Sequence, residues 1–370
     1  MSVLDNARDI LSKMYKSKNP IAHNISSFCY YCAVSAYHFK KYSNEELEEV
    51  IKTFRPDITE EEKKLLRKNM KKLYFAERVN FDEYFLYDFE NKNKAERKSF
   101  LIDSDRLRFS SVLNDRKKGK MLVDKYLAYE AYKEFYNRDV VLISDENDYD
   151  TFKSFVEKHP RFVKKIRNLS RGRGTEILDI NKYSDDKELF KYILGEGVCV
   201  LEQLIVQNKE MASFHPHSVN TVRIPTVYKK DGTVEIICPF FRMGRNNSVV
   251  DNAGAGGILA NVDAETGVIL TNGFDESGHT YEVHPDTGLK IKGFQVPNWE
   301  GAKKVASEIA AKVEGLSFVG WDFALDESGK WVIIEGNSFA QPVSQIADKT
   351  GRFEDYEFFS RSVDVFQQMI

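Results

Sequence analysis

An excess of charge of one sign and a long apolar run are both missing from this 370-residue sequence. Lys and Arg number 54 against 57 Asp and Glu, a formal net charge of −3. A dedicated nucleic-acid binder carries a basic excess, so that class is excluded. No stretch reaches the roughly 18 uninterrupted apolar residues that a spanning helix needs, which excludes a membrane span. The opening "MSVLDNARDI" has no charged region followed by an apolar run, so no secretory signal is expected and the expected location is cytoplasmic. Cysteine is scarce: Cys29 and Cys32 form a lone C-x-x-C, without the second pair that a closed zinc site would need nearby. These two are expected to pack in the core rather than bind metal or do redox work. Cys199 and Cys238, in apolar strand-like runs, are expected to be inert core residues.

What is present is ordinary globular material, 42% hydrophobic and 30% charged, in a chain long enough for two to three domains or one composite fold. The first part reads as helical and polar. "SNEELEEVIKTF" offers a capping box, Ser43 with Glu46, and "TEEEKKLLRKNMKKLYF" another, Thr59 with Glu62. The aromatic cluster "FDEYFLYDFE" is read as core between helices rather than as a binding surface. From about Val140 short β-branched runs take over, with turn signals such as Asp231-Gly232. One helix interrupts them, "EGAKKVASEIAAKVEG", with Ala302, Val305, Ala306, Ile309, Ala310 and Val313 on one face and Gly315 as its stop. Hairpins mixed with sparse helices indicate an α+β class. The expected divisions are a helical region 1–120, a small lobe 121–200 and a large lobe 201–370.

"WVIIEGNSFAQP", from Trp331, is an apolar strand ending in Glu335 and Asn337. Side chains two apart on a strand share a face. Upstream, "FVGWDFAL" joins it through "DESGK" as a hairpin, which brings Asp322 onto the neighbouring strand. Three such oxygens suit Mg²⁺, which shares its coordination with substrate phosphates. The same residues also suit a capped strand end, with Asn337 in an Asx turn and Glu335 paired to a lysine.

"RFVKKIRNLSRGRGTEILDI" reads strand, loop, strand, with Ser170, Gly172 and Gly174 at alternate loop positions. Backbone N–H groups of such a loop can close over phosphates because glycine permits close approach, and Lys164 stands on the strand before it. A plain hairpin tip has the same composition. His215 and His217, separated by Pro216, lack a partner cluster and are read as structural or substrate-lining.

The order of these pieces resembles the ATP-grasp superfamily: the lysine of "VDKYLAYEAYKEF", a strand–glycine loop–strand, "VLEQLI", arginine strands, then D…E-x-N. Within it, "HPHSVNTVRIPTVY", "PFFRMGRNNSVVDNAGAGGI", "VGWDFAL" and "VIIEGN" resemble the sugar-transfer-associated branch, related to α-L-glutamate ligases, over residues 125 to 341. The resemblance implies two α+β lobes clamping Mg·ATP, behind a helical N-terminal region that does not look like the usual preceding domain.

It also implies roles. Lys125 and Lys164 resemble the two lysines on the α- and β-phosphates, with Ser170, Gly172 and Gly174 in the phosphate loop. Lys165 stands where most members have proline, which leaves open the choice between Lys164 and Lys165. Glu202, Gln203 and Ile205 resemble the strand that reads adenine, and Glu210 is the candidate for the ribose. Asp322, Glu335 and Asn337 match the Mg²⁺ ligands. Arg223 and Arg242 match arginines facing the γ-phosphate and the acyl group, where a guanidinium can grip oxygens bidentately. Asn220, Asp251, Asn252, Gly256 and Gly257 fall where related ligases contact substrate, although here no basic residue precedes the glycines.

The implied activity is ATP-dependent joining of a carboxylate and an amine through an acyl phosphate, in polysaccharide or sugar-conjugate synthesis, for example an amino acid on a uronic acid. A kinase acting on a hydroxyl and a non-catalytic nucleotide-binding module are the alternatives. Expected partners are a small or sugar-linked carboxylate and an amine, with room for a homodimer.

Overall fold

The computed structural model describes residues 10–356 apart from 12, 15, 16, 18, 170, 171, 247, 250, 252, 253 and 255. The N-terminal part is helical: α1 Pro20–Lys40, α2 Asn44–Phe54, α3 Glu60–Glu77, α4 Phe81–Leu86 and α5 Asp103–Leu113. Ser43 caps α2 by accepting from the Glu46 N–H at 3.2 Å. Thr59 and Glu62 close a full capping box at the start of α3, which satisfies two of the orphan donors of a helix start. The aromatic cluster is core: Phe81, Tyr84, Tyr87 and Phe89 are all buried.

Two sheets follow. The small one has order β1-β4-β2-β3, from β1 Val140–Ile143, β2 Arg161–Ile166, β3 Thr175–Asp179 and β4 Cys199–Gln203, every pair antiparallel. After α6, Lys125–Tyr132, the helices α7 Tyr149–Lys158 and α8 Asp186–Gly195 cover one face of this sheet. Phe152, Phe155, Leu189 and Ile193 from them pack on Phe162 and Leu201 of the strands.

The large sheet has eight strands. They are β5 Thr221–Tyr228, β6 Val234–Ile236, β7 Phe240–Met243, β8 Ile258–Asn261, β9 Gly273–Phe274, β10 Thr280–Tyr281, β11 Phe318–Leu325 and β12 Trp331–Asn337. Their order is β10-β9-β8-β7-β5-β11-β12, with β6 a short branch on β5. One face packs on α6 and on α9, Trp299–Ala310. Residues Phe240, Leu259 and Phe274 instead join the core of the N-terminal helices. The helical region is therefore built onto the large sheet.

Four expectations change. Helix α9 ends at Ala310, and Gly315 lies in a later turn at φ +87°. The arginine strands, expected to be consecutive and joined through the hairpin at Asp231-Gly232, are the neighbours β5 and β7, but that turn leads into β6, which stands between them in sequence. Cys32 is exposed and Cys29 half-buried, because α1 turns Ser26, Ser35 and His38 inward instead. Cys199 is buried as expected, while Cys238 is half-buried outside any strand.

Candidate active site

A cavity of about 300 Å³ opens between the two sheets, at the lower end of the range for small-molecule sites. Its charged lining comes from both sides: Lys125, Lys165 and Glu202 from the small lobe, and Arg242, Asp322 and Glu335 from the large sheet with Asp251 from the loop after β7. Leu122, Val123, Ala128, Tyr136 and Ile334 supply an apolar wall, and Gly172 reaches it from the glycine loop.

The floor follows from strand register. Asp322 on β11 is paired with Arg223 on β5 and with Glu335 on β12, so these side chains share one face. Arg242 enters from β7, where it is paired with Thr221. Arg223 grips Asp322 with two donors, its Nη2 lying 2.7 Å from Oδ2. Arg242 Nη1 donates to the same carboxylate, and its Nη2 lies 3.2 Å from Asp251 Oδ1. Asp251 also accepts from the Thr221 N–H at 2.9 Å and from the Thr221 hydroxyl. Burial alone would push Asp322 up, but the two guanidiniums outweigh it and hold the carboxyl at about 2. Glu335 shifts the other way: burial, then the charge of Asp322, raises it against the pull of the arginines. It stays reachable from the cavity, with its side chain 47% exposed.

The small lobe presents cations. Lys125 is the first residue of α6, a helix capped by Asp124, whose carboxylate accepts from the Tyr126 and Leu127 N–H groups at 3.1 Å. Its Nζ donates to the Ile166 carbonyl at 3.0 Å and to that of Leu169. Burial and then the charge of Lys165 lower its pKa, so an anion arriving between the two lysines relieves their repulsion. The positive end of the helix dipole adds to this field. Lys165 Nζ meets Glu202 Oε1 at 2.7 Å, and Arg138 meets Glu202 Oε2 at 2.6 Å. Burial opposes the ionised form of Glu202, yet these two cations hold it at about 2. Arg138 also donates to the Ile333 carbonyl on β12 at 2.7 Å, so one guanidinium ties the small sheet to the strand that carries Glu335.

Several expected residues lie elsewhere. Lys164 is corrected: it points to the helix-covered face, pairing with Glu176 at 2.9 Å and Glu196 at 3.6 Å and standing over the Tyr192 ring. It shares that face with Phe162 and Ile166, whereas Lys165 faces the cavity. Asn220 is corrected as well. It is fully buried, donating to the Met211 and His215 carbonyls at 3.0 Å and accepting from the Gly244 N–H at 3.2 Å, which makes it a hub beneath the site. Glu210 is exposed on the short helix Lys209–Ala212 and does not line the cavity among the described residues. Gln203 ends β4 with its N–H bonded to the Asp139 carbonyl at 2.9 Å, and Ile205 follows outside the strand. Gly174, at φ +68°, turns the loop back over Ile166. Gly256, at φ +90°, lies beside Arg245, and neither it nor Gly257 is among the described residues that line the cavity. Ser170 and Asn252 lie outside the described residues. His215 is buried and bonded to Ser218 Oγ at 2.8 Å and to the Asn246 carbonyl at 2.7 Å, a structural arrangement.

Asn337 Oδ1 accepts from the Phe339 N–H at 2.8 Å, so the Asx turn is real. A carboxylate or amide oxygen keeps further lone pairs, and the set of two carboxylates and one amide is the hard-oxygen chemistry of a small divalent cation. The residues present therefore fit Mg²⁺. The loop behind them is clamped from α5. Arg106 donates to the Phe339 carbonyl. Asn114, just beyond the helix, donates to the carbonyls of Ser338 at 3.0 Å and Phe318 at 2.7 Å. Arg106, Asn114, Arg138 and Thr221 escape sequence reasoning because each acts through partners far away in the chain.

A family model described as sugar-transfer associated ATP-grasp matches residues 104–359. No curated protein matches. Among solved structures, the chain is similar to the ATP-grasp ligase PsnB complexed with minimal precursor, at 10% identity over 70% of this chain and 71% of that one, TM-score 0.43. It is similar to N5-carboxyaminoimidazole synthetase from Staphylococcus aureus complexed with ADP, at 14% identity, 62% and 48% coverage, TM-score 0.40. D-alanyl-alanine synthetase A from Vibrio cholerae matches at 12% identity, 68% and 66% coverage, TM-score 0.40. The chain spans about half the length of the Staphylococcus aureus synthetase.

Proposed function

Because the chain belongs to the sugar-transfer associated ATP-grasp family, we propose that it is an ATP- and Mg²⁺-dependent ligase joining a carboxylate to an amine, with release of ADP and phosphate. The observation that carries this reading is the cleft itself. Lys125 from the start of α6 and Lys165 from β2 face a floor of Arg242 and the paired carboxylates Asp322 and Glu335, with Arg223 gripping Asp322 from β5. The family description supports a sugar-linked acid or amine, for example a uronic acid coupled to an amino acid.

Lys125 and Lys165 bind and neutralise the α- and β-phosphates. The apolar wall of Leu122, Val123, Ala128 and Ile334 receives the base and excludes water from it. Asp322, Glu335 and Asn337 hold Mg²⁺. When bound, that ion offsets phosphate charge and polarises the transferring phosphoryl group. The substrate carboxylate attacks the γ-phosphorus, an O–P bond forms, and the bond to the ADP oxygen breaks. Arg223 and Arg242, fixed by Asp322 and Asp251, stabilise the charge that collects there without reorganising. The amine then attacks the acyl carbon, loses a proton and expels phosphate. No protein nucleophile is required.

The test is trapping with hydroxylamine. With Mg·ATP and candidate sugar acids, the enzyme should form a hydroxamate in step with ADP. ADP release with no hydroxamate, and a phosphorylated product stable to hydroxylamine, would replace the ligase with a hydroxyl kinase.

The two neighbouring lysines give a sharper check on the cleft. Lys165→Met should weaken Mg·ATP binding by roughly ten- to a hundredfold, the worth of a charged hydrogen bond, as read from the ligand-induced Tm shift. Lys164→Met should leave that shift intact, since its partners lie on the far face. The opposite pattern would return the phosphate role to Lys164.

A further inference from the structure

Helix α1 is packed inside out. It buries Ser26, Ser35 and His38, while Ile21, Ile25 and Phe28 are 70%, 48% and 67% exposed. The polar side is genuinely docked. Ser26 donates to the Leu11 carbonyl, the His38 ring stacks on Tyr74 at 3.9 Å, and the Tyr74 hydroxyl donates to the His38 carbonyl at 2.6 Å. On the outer side Ile21, Ile25, Phe28, Cys32 and Phe39 recur at i, i+4, i+7, i+11 and i+18, one stripe along a 21-residue helix. Phe39 is continued by exposed Phe75 of α3, with ring centroids 5.7 Å apart.

Charge selects the occupant. Residues 10–42 contain Lys13, Lys16, Lys18, Lys40 and Lys41 and no Asp or Glu, in a chain whose net charge is −3. Of the described lysines, Lys13 precedes α1 and Lys40 and Lys41 stand at its C-terminal end. We infer that α1 is a membrane-surface docking element, lying in the interface of an anionic bilayer with Ile21, Ile25 and Phe28 in the acyl boundary and the lysines among the headgroups. An apolar helix face buried in the acyl boundary contributes in proportion to its area, and each lysine near an anionic surface adds to the attraction; here the lysines stand at the helix ends, since its polar side is docked on the protein. None of the described helices is long and apolar enough to cross a membrane, so the element lies on the bilayer rather than through it. A second copy of the chain is a poorer occupant. A two-fold contact through this stripe sets lysine-bearing ends against each other, and the segment holds no acid to pair them.

The test is flotation of the full chain with vesicles of equimolar phosphatidylcholine and phosphatidylglycerol, against pure phosphatidylcholine. The chain should float with the mixed vesicles and release at high salt. Phe28→Ser and Ile25→Ser should each lower partitioning roughly tenfold, about the effect of withdrawing one large apolar group from the acyl boundary. Lys40→Gln combined with Lys41→Gln, which touches no core residue, should also lower it. Circular dichroism and Tm check that each variant is folded. No flotation with mixed vesicles would overturn the inference, as would flotation that ignores all these changes. So would a dimer in sedimentation velocity that Phe28→Ser dissociates while vesicles go unbound; the occupant would then be a second copy.

Discussion

Glu335→Gln should abolish turnover, by about 10³-fold or more, while leaving the ligand-free protein at least as stable as the wild type. The first half follows from position. Glu335 is the register partner of Asp322 and the most accessible acid on the cavity floor. Its amide keeps the shape but removes one of two carboxylates from the metal set, and an electrostatic donor or ligand lost at such a centre costs at least about 10²–10³ in rate. The second half follows from the pKa. Partial burial and then the charge of Asp322 disfavour the ionised Glu335, so a neutral side chain relieves a cost that solvent screening keeps small at this half-exposed position. The sign can be followed in pH. An acid whose folded pKa lies above its unfolded value binds a proton more readily in the native state, so its ionisation removes stability as pH rises through that folded value. This loss should be absent from the variant. Asp322 and Glu202, both held at about 2, act oppositely. Their stability is present above the ordinary carboxylate range and lost as pH falls toward 2, in wild type and variant alike. The measurement is Tm with Mg·ATP, with ATP plus EDTA, and with neither, beside steady-state rates. A variant that keeps a Mg²⁺-dependent shift and full turnover would remove Glu335 from the metal set.

The floor was partly legible in the sequence. The hairpin "WDFAL"–"DESGK"–"IIEGN" and strand alternation place Glu335 and Asn337 on one face of a strand beside the one that carries Asp322. The register from the turn, Leu325 with Trp331 through Phe323 with Ile333, would set Asp322 opposite Ile334, and a bulge after Phe323, which no local rule announces, brings Glu335 opposite Asp322 instead. Alternation alone could not choose between Lys164 and Lys165. Both faces of β2 are covered, one by α7 and α8 and the other by the cleft, and the acids that claim Lys164 come from β3 and from just beyond α8. The apolar positions Phe162 and Ile166 did mark the helix side. Asn220 read as a substrate contact from the resemblance, but its role depends on carbonyls brought in by a loop and on the Gly244 N–H. Arg138, Arg106 and Asn114 bridge 64 to 233 residues of sequence, and no pattern of spacing reports such contacts. The cysteines of α1 were misplaced for a related reason: burial there follows what docks, and serine and histidine dock on Tyr74 and Leu11.

Arg242→Ala should lose turnover about 10²- to 10³-fold and also lower Tm by about 5 °C, whereas Arg242→Lys should recover much of the stability and little of the rate. The guanidinium is buried and spans two carboxylates, Asp251 and Asp322. Removing it leaves both acids in a dry site with Arg223 as the remaining cation on Asp322. Truncating one member of a buried ion cluster typically costs about 3–5 kcal/mol, which sets the size of the Tm loss for a chain this long. A lysine restores the charge but offers a point donor in place of a planar fork, so it can face one carboxylate while the geometry toward the transferring phosphoryl group is lost. Stability and catalysis therefore separate in the lysine variant, which a purely structural arginine would not allow. Below its Tm that variant should bind Mg·ATP within a few-fold of wild type, since the lysines proposed to hold the phosphates, Lys125 and Lys165, are unchanged. The defect should appear in kcat and equally in kcat/KM, as for an interaction made only in the transition state. If Arg242→Lys is folded and its kcat matches wild type, Arg242 is a brace for Asp322 and Asp251, and Arg223 alone faces the reacting group.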